Sequence, residues 1–254
     1  MTDQTEKNRP GPSDILAAFR FLTRLPLPDN DETPRGAHII WAFPIVGLVL
    51  GAAAGLLAWL LLWLGVPRLG VGVAAIGFLV VITGALHEDG LADCADGFGG
   101  GKDKARILEI MRDSRIGTYG ALALILVVFA RLSGVLAMSG WDMVLQLAAV
   151  GAMSRALMGG VMFALPFARK DGAAASFGRP SAASAGLGLM IGLVAAIALT
   201  GISGAMLVGV MAIPALCMMM LAKSKLEGQT GDVLGATQQL AEAVGLLAAV
   251  ALLG

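Results

Sequence analysis

The sequence predicts an all-α fold, a polytopic helical bundle in a membrane with about seven transmembrane helices. Apolar residues make up 57% of the 254 residues and charged residues only 14%, a more apolar composition than that of soluble globular domains. Uncharged stretches of membrane-spanning length recur along the chain, whereas buried strands of soluble proteins run only about 4–8 residues. The formal net charge is zero, so the basic surface that nucleic-acid binding requires is missing. We therefore expect a lipid bilayer, and no nucleic acid, as partner.

The amino-terminal region divides into a tail and a short helix. Residues 1–12 are polar and contain proline and glycine, without the apolar core of a secretory signal, which predicts a flexible cytoplasmic tail. Residues 13–254 are predicted to form a single transmembrane catalytic domain. Within it, residues 14–23 place apolar side chains at helical spacing, which indicates an interfacial helix. Pro26 and Pro28 end this helix because proline disfavours helix at its own position and the one before it.

Seven segments are apolar enough and long enough to cross a bilayer, although a count of six or eight also fits. In the first of them, Gly47, Gly51 and Gly55 recur at four-residue intervals, a spacing that lets a neighbouring helix approach closely. The alternative is an ordinary membrane helix rich in glycine and alanine. The predicted spans are 39–64, 71–87, 118–138, 143–165, 185–201, 204–222 and 236–253.

The lysines and arginines of the connections predict the orientation of the bundle. With the amino terminus inside, fifteen of them fall on the cytoplasmic side and only Arg68 falls on the other. Cytoplasmic loops carry an excess of these residues, so the amino terminus and the acidic loop are predicted inside, and the carboxyl terminus outside for seven helices. The cytoplasmic residues are Lys7, Arg9, Arg20, Arg24, Arg35, Lys102, Lys104, Arg106, Arg112, Arg115, Arg169, Lys170, Arg179, Lys223 and Lys225.

The acidic stretch after the second span is the main candidate site. If the helix continues past His87, Asp89, Asp93 and Asp96 lie on one face within about 60° of each other. A bound cation would relieve their repulsion, and carboxylates without thiols suit Mg²⁺ or Mn²⁺, which commonly bridges carboxylates to substrate phosphates. The alternative is a solvated acidic helix end balanced by neighbouring bases. Glu88 points about 100° away from Asp89 and is not included among the ligands.

Two further polar clusters follow along the chain. Glycines 99–101 predict a hinge, and residues 102–115 a short cytoplasmic amphipathic helix in which Arg112 and Arg115 can clamp one phosphate. Alternatively, these arginines pair with acidic neighbours in the same helix. Between the last two helices, Gly228 and Gly231 let backbone amides approach a phosphate, and Asp232 can add a carboxylate, although an ordinary glycine turn also fits.

Two arginines, Arg131 and Arg155, lie inside predicted membrane helices. A charged side chain is costly there unless it faces the bundle interior or an aqueous cavity. Both are therefore secondary site candidates. For Arg131, pairing with a buried acid is an equally good interpretation.

Four ordered motifs spread over nearly the whole chain resemble those of the cobalamin synthase family. The first is FLTRLPLP at 21–28, and the second is the pattern H-x-D-G-L-A-D-x-x-D-G at 87–97. The third is R-D-S-R-x-G-x-x-G at 112–120, and the fourth is G-Q-T-G-D-x-L-G-A at 228–236.

The resemblance implies an adenosylcobinamide-GDP ribazoletransferase of a bacterial cytoplasmic (inner) membrane. Such an enzyme transfers adenosylcobinamide phosphate from its GDP linkage to α-ribazole, or to α-ribazole 5′-phosphate, and releases GMP. Mg²⁺ on Asp89, Asp93 and Asp96 would bind the diphosphate, and the arginines of the third motif would stabilise the departing GMP. The base for the ribose hydroxyl is Asp93, Asp113 or Asp232. The implied catalytic residues are Asp89, Asp93, Asp96, Arg112, Asp113 and Arg115, and the implied substrate- or phosphate-binding residues are Arg24, His87, Gly228, Gln229, Thr230, Gly231 and Asp232. Arg155 joins the substrate-binding candidates because of its position inside a membrane helix.

Three other functions compete with this interpretation. A CDP-alcohol phosphotransferase would show D-G-x-x-A-R, but Asp93 stands after Ala92 where that pattern has arginine. A prenyltransferase of aromatic acceptors would need paired N/D-D-x-x-D motifs, and only one is present. A transporter would show polar residues at mid-membrane and broken helices, whereas the charges here concentrate in three loops.

Overall fold

The structure, a computed structural model, describes residues 10–28, 36–169 and 173–253, and their regular secondary structure is helical. Most of the predicted tail, residues 1–9, lies outside the described residues, as do Arg35 and Lys170 of the charge count. The helices are α1 (Pro12–Leu22), a 3-10 helix (Ala37–Ala42), α2 (Phe43–Trp63), α3 (Arg68–Thr83), α4 (Leu86–Gly100), α5 (Lys104–Ile110), α6 (Thr118–Ala137), α7 (Asp142–Ala164), α8 (Ala173–Phe177), α9 (Ala182–Thr200), α10 (Ser203–Leu226) and α11 (Gly231–Leu253).

Within the described ranges, six helical segments are long and apolar enough to cross a membrane, and the bent pair α3–α4 makes seven if it counts as one span. The six are the 3-10 helix with α2, then α6, α7, α9, α10 and α11. The predicted polytopic helical fold is confirmed. Of these helices α7 and α11 are the most enclosed, with 83% and 72% of their apolar windows buried inside the protein. They form the centre of the bundle, and the other spans surround them.

The spans alternate in direction, so the chain has two ends. At one end, which we call the acidic end, lie α1, α4, the starts of α2, α6, α9 and α11, and the ends of α3, α7 and α10. At the opposite end Arg68 donates hydrogen bonds to the carbonyls of Leu136 and Met138 at 2.9 and 3.0 Å. Trp59 stacks on Trp141 there, with 5.3 Å between ring centroids.

The glycine stripe of α2 packs directly on α7, as its spacing predicted. A Cβ atom at Gly51 would collide with the carbonyl of Leu147, and one at Gly47 with the carbonyl of Gly151. Gly55 repeats this one turn further on, where a Cβ would lie 2.5 Å from the Met143 carbonyl oxygen. Backbone-to-backbone contact of this kind stabilises membrane helices through close van der Waals packing.

The predicted span 71–87 is wrong at its end, because the helix stops at Thr83. Gly84 and Ala85 both adopt left-handed conformations, with φ of 64° and 57°. Their amides bond back to Val81 and Val80 at 3.1 and 2.8 Å and close α3. The chain then starts α4, which makes an angle of 89° with α3. The acidic stretch is therefore a separate helix, too polar to cross a bilayer, at the acidic end of the bundle.

Other predicted boundaries also differ from the structure, three of them close to the motifs. The short helix covers only Lys104–Ile110 and not 102–115. Asp103 caps its start by accepting a hydrogen bond from the Arg106 amide at 2.9 Å. The predicted glycine hinge is reduced to Gly101, since α4 runs to Gly100. The last helix begins at Gly231, five residues earlier than predicted, and the Thr230 hydroxyl accepts from the Val233 amide at 3.3 Å.

The predicted helix at 14–23 is confirmed as α1, but one side chain behaves unexpectedly. Asp14 is buried, and its carboxylate accepts the indole N–H of Trp41 at 2.9 Å. His38 lies 3.5 Å from the same carboxylate. Asp14 therefore fixes α1 to the start of the first span.

Candidate functional site

The carboxylates of α4 form the centre of the acidic end. Asp89 is exposed and Asp93 is half-buried on the same helix. Partial burial, and then the negative charges of Asp89, Asp232 and Asp96, raise the pKa of Asp93 to about 7, against the opposing effect of Arg169. Asp89 and Asp93 therefore lie close enough to repel each other, and α11 adds the charge of Asp232. Each of these charges disfavours the others, which is the condition a bound cation relieves.

Asp96 has a structural role that the spacing did not predict. Its carboxylate accepts the amide of Gly117 at 2.7 Å and the amide of Gly120 at 2.9 Å, and so caps the first turn of α6. A Cβ atom at either glycine would collide with this carboxylate. Gly117 and Gly120 of the third motif are therefore glycines because the Asp96 carboxylate of the second motif occupies the space that a side chain would need.

The start of α11 crosses α4 at the acidic cluster. A Cβ atom on Gly90 would lie 2.9 Å from the carbonyl oxygen of Asp232, so only glycine permits this approach. The Asp232 carboxylate accepts the hydroxyl of Thr230 at 3.0 Å and lies 3.8 Å from the Arg169 guanidinium. Arg169 was assigned above only to the charge count, and the structure places it in the site.

Residues 228–230 form a loop that is held by backbone hydrogen bonds to residues 166–168. The amide of Gln229 donates to the Pro166 carbonyl at 2.8 Å, and the Gln229 carbonyl accepts the Ala168 amide at 2.9 Å. Gly228 fits against the same segment, because a Cβ there would lie 2.5 Å from the Pro166 oxygen. The Gln229 side chain is 1% exposed, and neither of its amide atoms has a partner. The loop thus holds a buried polar group beside Asp232.

The arginines of the third motif lie beyond α5, so their predicted placement on one helix is wrong. The Arg115 guanidinium donates to Asp113 at 2.7 to 3.2 Å, which agrees with the alternative of pairing with an acidic neighbour. Hydrogen bonds from the Arg115 side chain and amide lower the pKa of Asp113 to about 2. Arg112 occupies the same turn, where its amide donates to the Glu109 carbonyl at 3.1 Å. Both arginines therefore stay near the acidic end.

A salt bridge connects α5 to the fourth motif. The Lys104 ammonium lies 2.9 Å from the Glu227 carboxylate, which immediately follows α10. This contact lowers the pKa of Glu227 through a hydrogen bond and the lysine charge. Both groups are substantially exposed, so the bridge orients the segments more than it stabilises them.

A buried ionic network joins α4 to the membrane helices. Arg131 lies 2.9 Å from Glu88 and 2.7 Å from Glu242, and Arg155 lies 3.5 Å from Glu242. Gln239 donates to Glu88 at 3.1 Å. The interpretation of Arg131 as the partner of a buried acid is confirmed. Glu242 and Gln239 were missed, although polar residues inside the last apolar segment signalled them.

The first motif reaches the break between α3 and α4. The Arg24 amide donates to the Ile82 carbonyl at 2.7 Å, and its exposed side chain covers Gly84, where a Cβ would collide with it. Phe21 lines a cavity together with His87 of the second motif and Gly231 of the fourth. His87 is 2% exposed, and its Nε2 has no hydrogen-bond partner.

Comparison with known proteins identifies the family. The family model of cobalamin-5-phosphate synthase matches residues 14–250. The chain belongs to the cobalamin-5-phosphate synthase family. This confirms the resemblance drawn from the four motifs.

Curated relatives extend the family match over most of each chain. A protein of Azorhizobium caulinodans named adenosylcobinamide-GDP ribazoletransferase is 41% identical over 91% of this chain and 92% of its own. Proteins of the same name from Bradyrhizobium diazoefficiens and Xanthobacter autotrophicus are 41% and 44% identical, over 99% and 92% of this chain and 98% and 94% of their own. No solved structure matches the chain.

The donors available for the Mg²⁺ that the sequence predicts lie in the acidic cluster. In the described part of the chain no group of three or more His, Cys, Asp or Glu side chains is arranged so that it could hold a metal ion by itself. Mg²⁺, however, is usually held by one or two carboxylates together with substrate phosphates and water. Asp89, Asp93 and Asp232 offer mutually repelling carboxylates of the required kind.

Proposed function

We propose that this protein transfers adenosylcobinamide phosphate from adenosylcobinamide-GDP to α-ribazole or its 5′-phosphate. The ribose hydroxyl oxygen of the acceptor forms a new bond to the cobinamide-bearing phosphorus. The bond between that phosphorus and the bridging oxygen breaks, GMP leaves, and the hydroxyl proton passes to a carboxylate of the protein. The product is adenosylcobalamin or its 5′-phosphate.

The observation that carries the proposal is the meeting of all four motifs at one end of the bundle. Asp89 and Asp93 of α4 face Asp232 of α11 with Arg169 beside them. The third motif is held there by the Asp96 cap, and the first lies over the α3–α4 break. Carboxylates and arginines assembled on one face suit the binding of a diphosphate through a metal ion and direct cationic contacts.

We propose that Asp89 and Asp93 hold Mg²⁺, with substrate phosphate oxygens and water supplying its other ligands. The motif pattern predicts Asp96 as a further ligand, but both of its oxygens already accept backbone amides. When bound, the ion neutralises charge on the diphosphate and on the departing phosphate. The Asp89 and Asp93 side chains supply the oxygen ligands, and the α4–α11 contact at Gly90 fixes the distance between the two helices.

The remaining steps fall to the protein's own side chains. Asp113 is the weakest of the three candidate bases, because it is occupied by Arg115 and its pKa is about 2. Since Asp93 is assigned to the ion, Asp232 is the stronger remaining candidate as acceptor of the ribose proton. Arg169, with one guanidinium nitrogen buried and without a partner, is placed to contact a phosphate oxygen. Arg115 would leave Asp113 for the departing GMP, so that a phosphate replaces a carboxylate as the partner of its guanidinium group.

For localisation, we propose the bacterial cytoplasmic membrane with the acidic end facing the cytoplasm. The described cationic residues of the connections, among them Lys104, Arg115, Arg169 and Lys223, lie at the acidic end, and Arg68 lies at the other. The excess of lysine and arginine on cytoplasmic loops supports this orientation. A nucleotide-activated donor made in the cytoplasm then reaches the site without crossing the bilayer.

The experiment is a transfer assay with purified protein in detergent or nanodiscs. Adenosylcobinamide-GDP and α-ribazole are supplied with and without Mg²⁺, and cobamide product and GMP are separated by chromatography. We expect Mg²⁺-dependent formation of both products, and a loss of at least about a hundredfold in Asp89→Asn and Asp93→Asn, since ligand removal weakens charge neutralisation in the transition state.

Asp142→Asn is the matched control, because Asp142 is an exposed aspartate at the opposite end of the bundle. It should retain wild-type activity. Full activity in Asp89→Asn or Asp93→Asn would refute the metal assignment. Absence of any cobamide product from folded wild-type protein would refute the proposed reaction itself.

A further inference from the structure

A small cavity lies next to the acidic cluster and is used by none of the steps above. Three motifs contribute to its wall, together with the end of α8. Its volume is about 80 Å³, and it opens on one side. The residues that matter here are Phe21, Phe43, His87, Phe177, Gly231 and Leu234.

Aromatic rings form one wall of the cavity. Phe21 stacks on Phe177 with centroids 4.4 Å apart and planes 27° apart, and Phe21 also stacks on Phe43 at 5.8 Å. Phe21 remains 41% exposed, although it is a large apolar side chain. A wall of nearly parallel rings with an uncovered aromatic face is the surface on which a flat aromatic ligand stacks.

One polar atom interrupts this apolar lining. His87 is 2% exposed, and its Nε2 is buried without a hydrogen-bond partner. Leaving such a group unsatisfied costs free energy, and a ligand that supplies one hydrogen bond recovers it. The cavity thus fits a flat, mostly apolar heterocycle with a single hydrogen-bonding atom on its edge.

Gly231 lines the cavity and is the residue before Asp232 of the acidic cluster. A Cβ atom at Gly231 would meet nothing within 4 Å, so there is open space beside this residue. Asp232 is the next residue, and its carboxylate faces Arg169. A group attached to the buried heterocycle would leave through this open space next to the carboxylates.

We propose that this cavity, the base pocket, holds the heterocyclic base of the nucleoside acceptor, with His87 Nε2 donating a hydrogen bond to the free ring nitrogen of that base. The assignment rests on the proposed function, which supplies an acceptor with a benzimidazole-type base. The ribose then lies at Gly231, and its hydroxyl lies beside Asp93 and Asp232. His87, predicted above to bind substrate or phosphate, contacts the base in this arrangement and not the phosphate.

The other substrate fits the base pocket poorly. The guanine of the donor carries several donors and acceptors on its edge, and burying them against phenylalanines and leucines would leave most of them unpaired. The cavity of about 80 Å³ is partly open, so it can surround only an edge of a benzimidazole-type ring, and a corrin ring is several times larger still. A benzimidazole-type ring, inserted edge-on, exposes only one ring nitrogen to be satisfied.

The test uses purified full-length protein and two readouts. The first is binding of free 5,6-dimethylbenzimidazole without donor or metal, followed by the fluorescence of the base. The second is the pair of KM values for α-ribazole and adenosylcobinamide-GDP. We expect His87→Leu and Phe177→Leu to weaken base binding about tenfold and to raise the KM for α-ribazole about as much, with the donor KM within about twofold of wild type.

Two further variants keep the result interpretable. Phe78→Leu is the matched control, because Phe78 is also a partly buried phenylalanine packed on the core but lies outside the cavity; it should change neither readout. His87→Gln retains an N–H donor and should bind the base more tightly than His87→Leu. The unfolding temperature of both His87 variants is measured and must equal that of the wild type.

The outcomes separate the base pocket from the proposed reaction. If wild-type protein forms product but the His87 and Phe177 variants change only the donor KM, the base pocket is wrong and the reaction stands. If wild-type protein forms no product yet binds the base in a His87-dependent manner, the reaction is wrong and the pocket stands. Failure of wild-type protein to bind the base, or equal binding by His87→Gln and His87→Leu, overturns the proposed recognition.

Discussion

Replacing Asp96 distinguishes its observed cap from its predicted role as a metal ligand. The carboxylate accepts two backbone amides at the start of α6, at 2.7 and 2.9 Å. Hydrogen bonds to a charged acceptor contribute about 1.5–3 kcal/mol each, and partial exposure of this site reduces that figure. We expect Asp96→Ala to lower the free energy of unfolding by about 2–3 kcal/mol and Asp96→Asn by about 1 kcal/mol, since asparagine keeps one acceptor oxygen.

Thermal unfolding in detergent, followed by intrinsic fluorescence, measures this effect. For a chain of this size about 2–3 kcal/mol corresponds to a fall of roughly 5–10 °C in Tm. Asp103→Ala is the control, because Asp103 caps the exposed helix α5 through one hydrogen bond and should cost under about 1 kcal/mol. Gly117→Ala should mimic Asp96→Ala, since its Cβ displaces the same carboxylate. An unchanged Tm in Asp96→Ala, together with at least tenfold weaker Mg²⁺ binding, would refute the cap and favour the ligand role.

Two other substitutions test the packing that supports the site. Arg131→Met leaves Glu88 buried without its cation and Glu242 with Arg155 alone, and should cost about 3–5 kcal/mol in thermal unfolding; a Tm within 2 °C of wild type would contradict the network. Gly51→Leu should abolish stable folding by separating α2 from α7, as judged by the yield of monodisperse protein. Gly77→Leu is its control, because a side chain there meets open space, and equal yields from both would contradict the close packing.

The fold class could be predicted from the sequence because the length and hydropathy of each membrane span depend only on the residues of that span. Length and hydropathy alone place the six long spans within a few residues of their ends. Boundary errors of four or five residues occurred at the ends of α3, α5 and α10 and at the start of α11. Left-handed backbone at an alanine is costly, and it occurs at Ala85 because the apolar helix must end before the acidic stretch. Such a turn depends on tertiary contacts that no local pattern contains.

The residues whose roles the sequence did not predict are those whose partners lie far away along the chain. Arg169 resembled any positive residue of a cytoplasmic loop until the structure placed it beside Asp232. Glu242 and Arg131 are separated by 111 positions along the chain, and they pair because α6 and α11 are neighbours. Helical spacing predicted the shared face of Asp89 and Asp93, but it cannot show which side chain of another helix meets that face.

The placement of the motifs at one end follows from the number of spans between them. The first and second motifs are separated by α2 and α3, and the third and fourth by α6, α7, α9 and α10. An even number of crossings returns the chain to the same side each time, so the four motifs must share one end whatever the exact helix boundaries are. Packing then decides which of their residues meet, and the glycines facing Asp96 and Asp232 are the positions where one motif makes room for another.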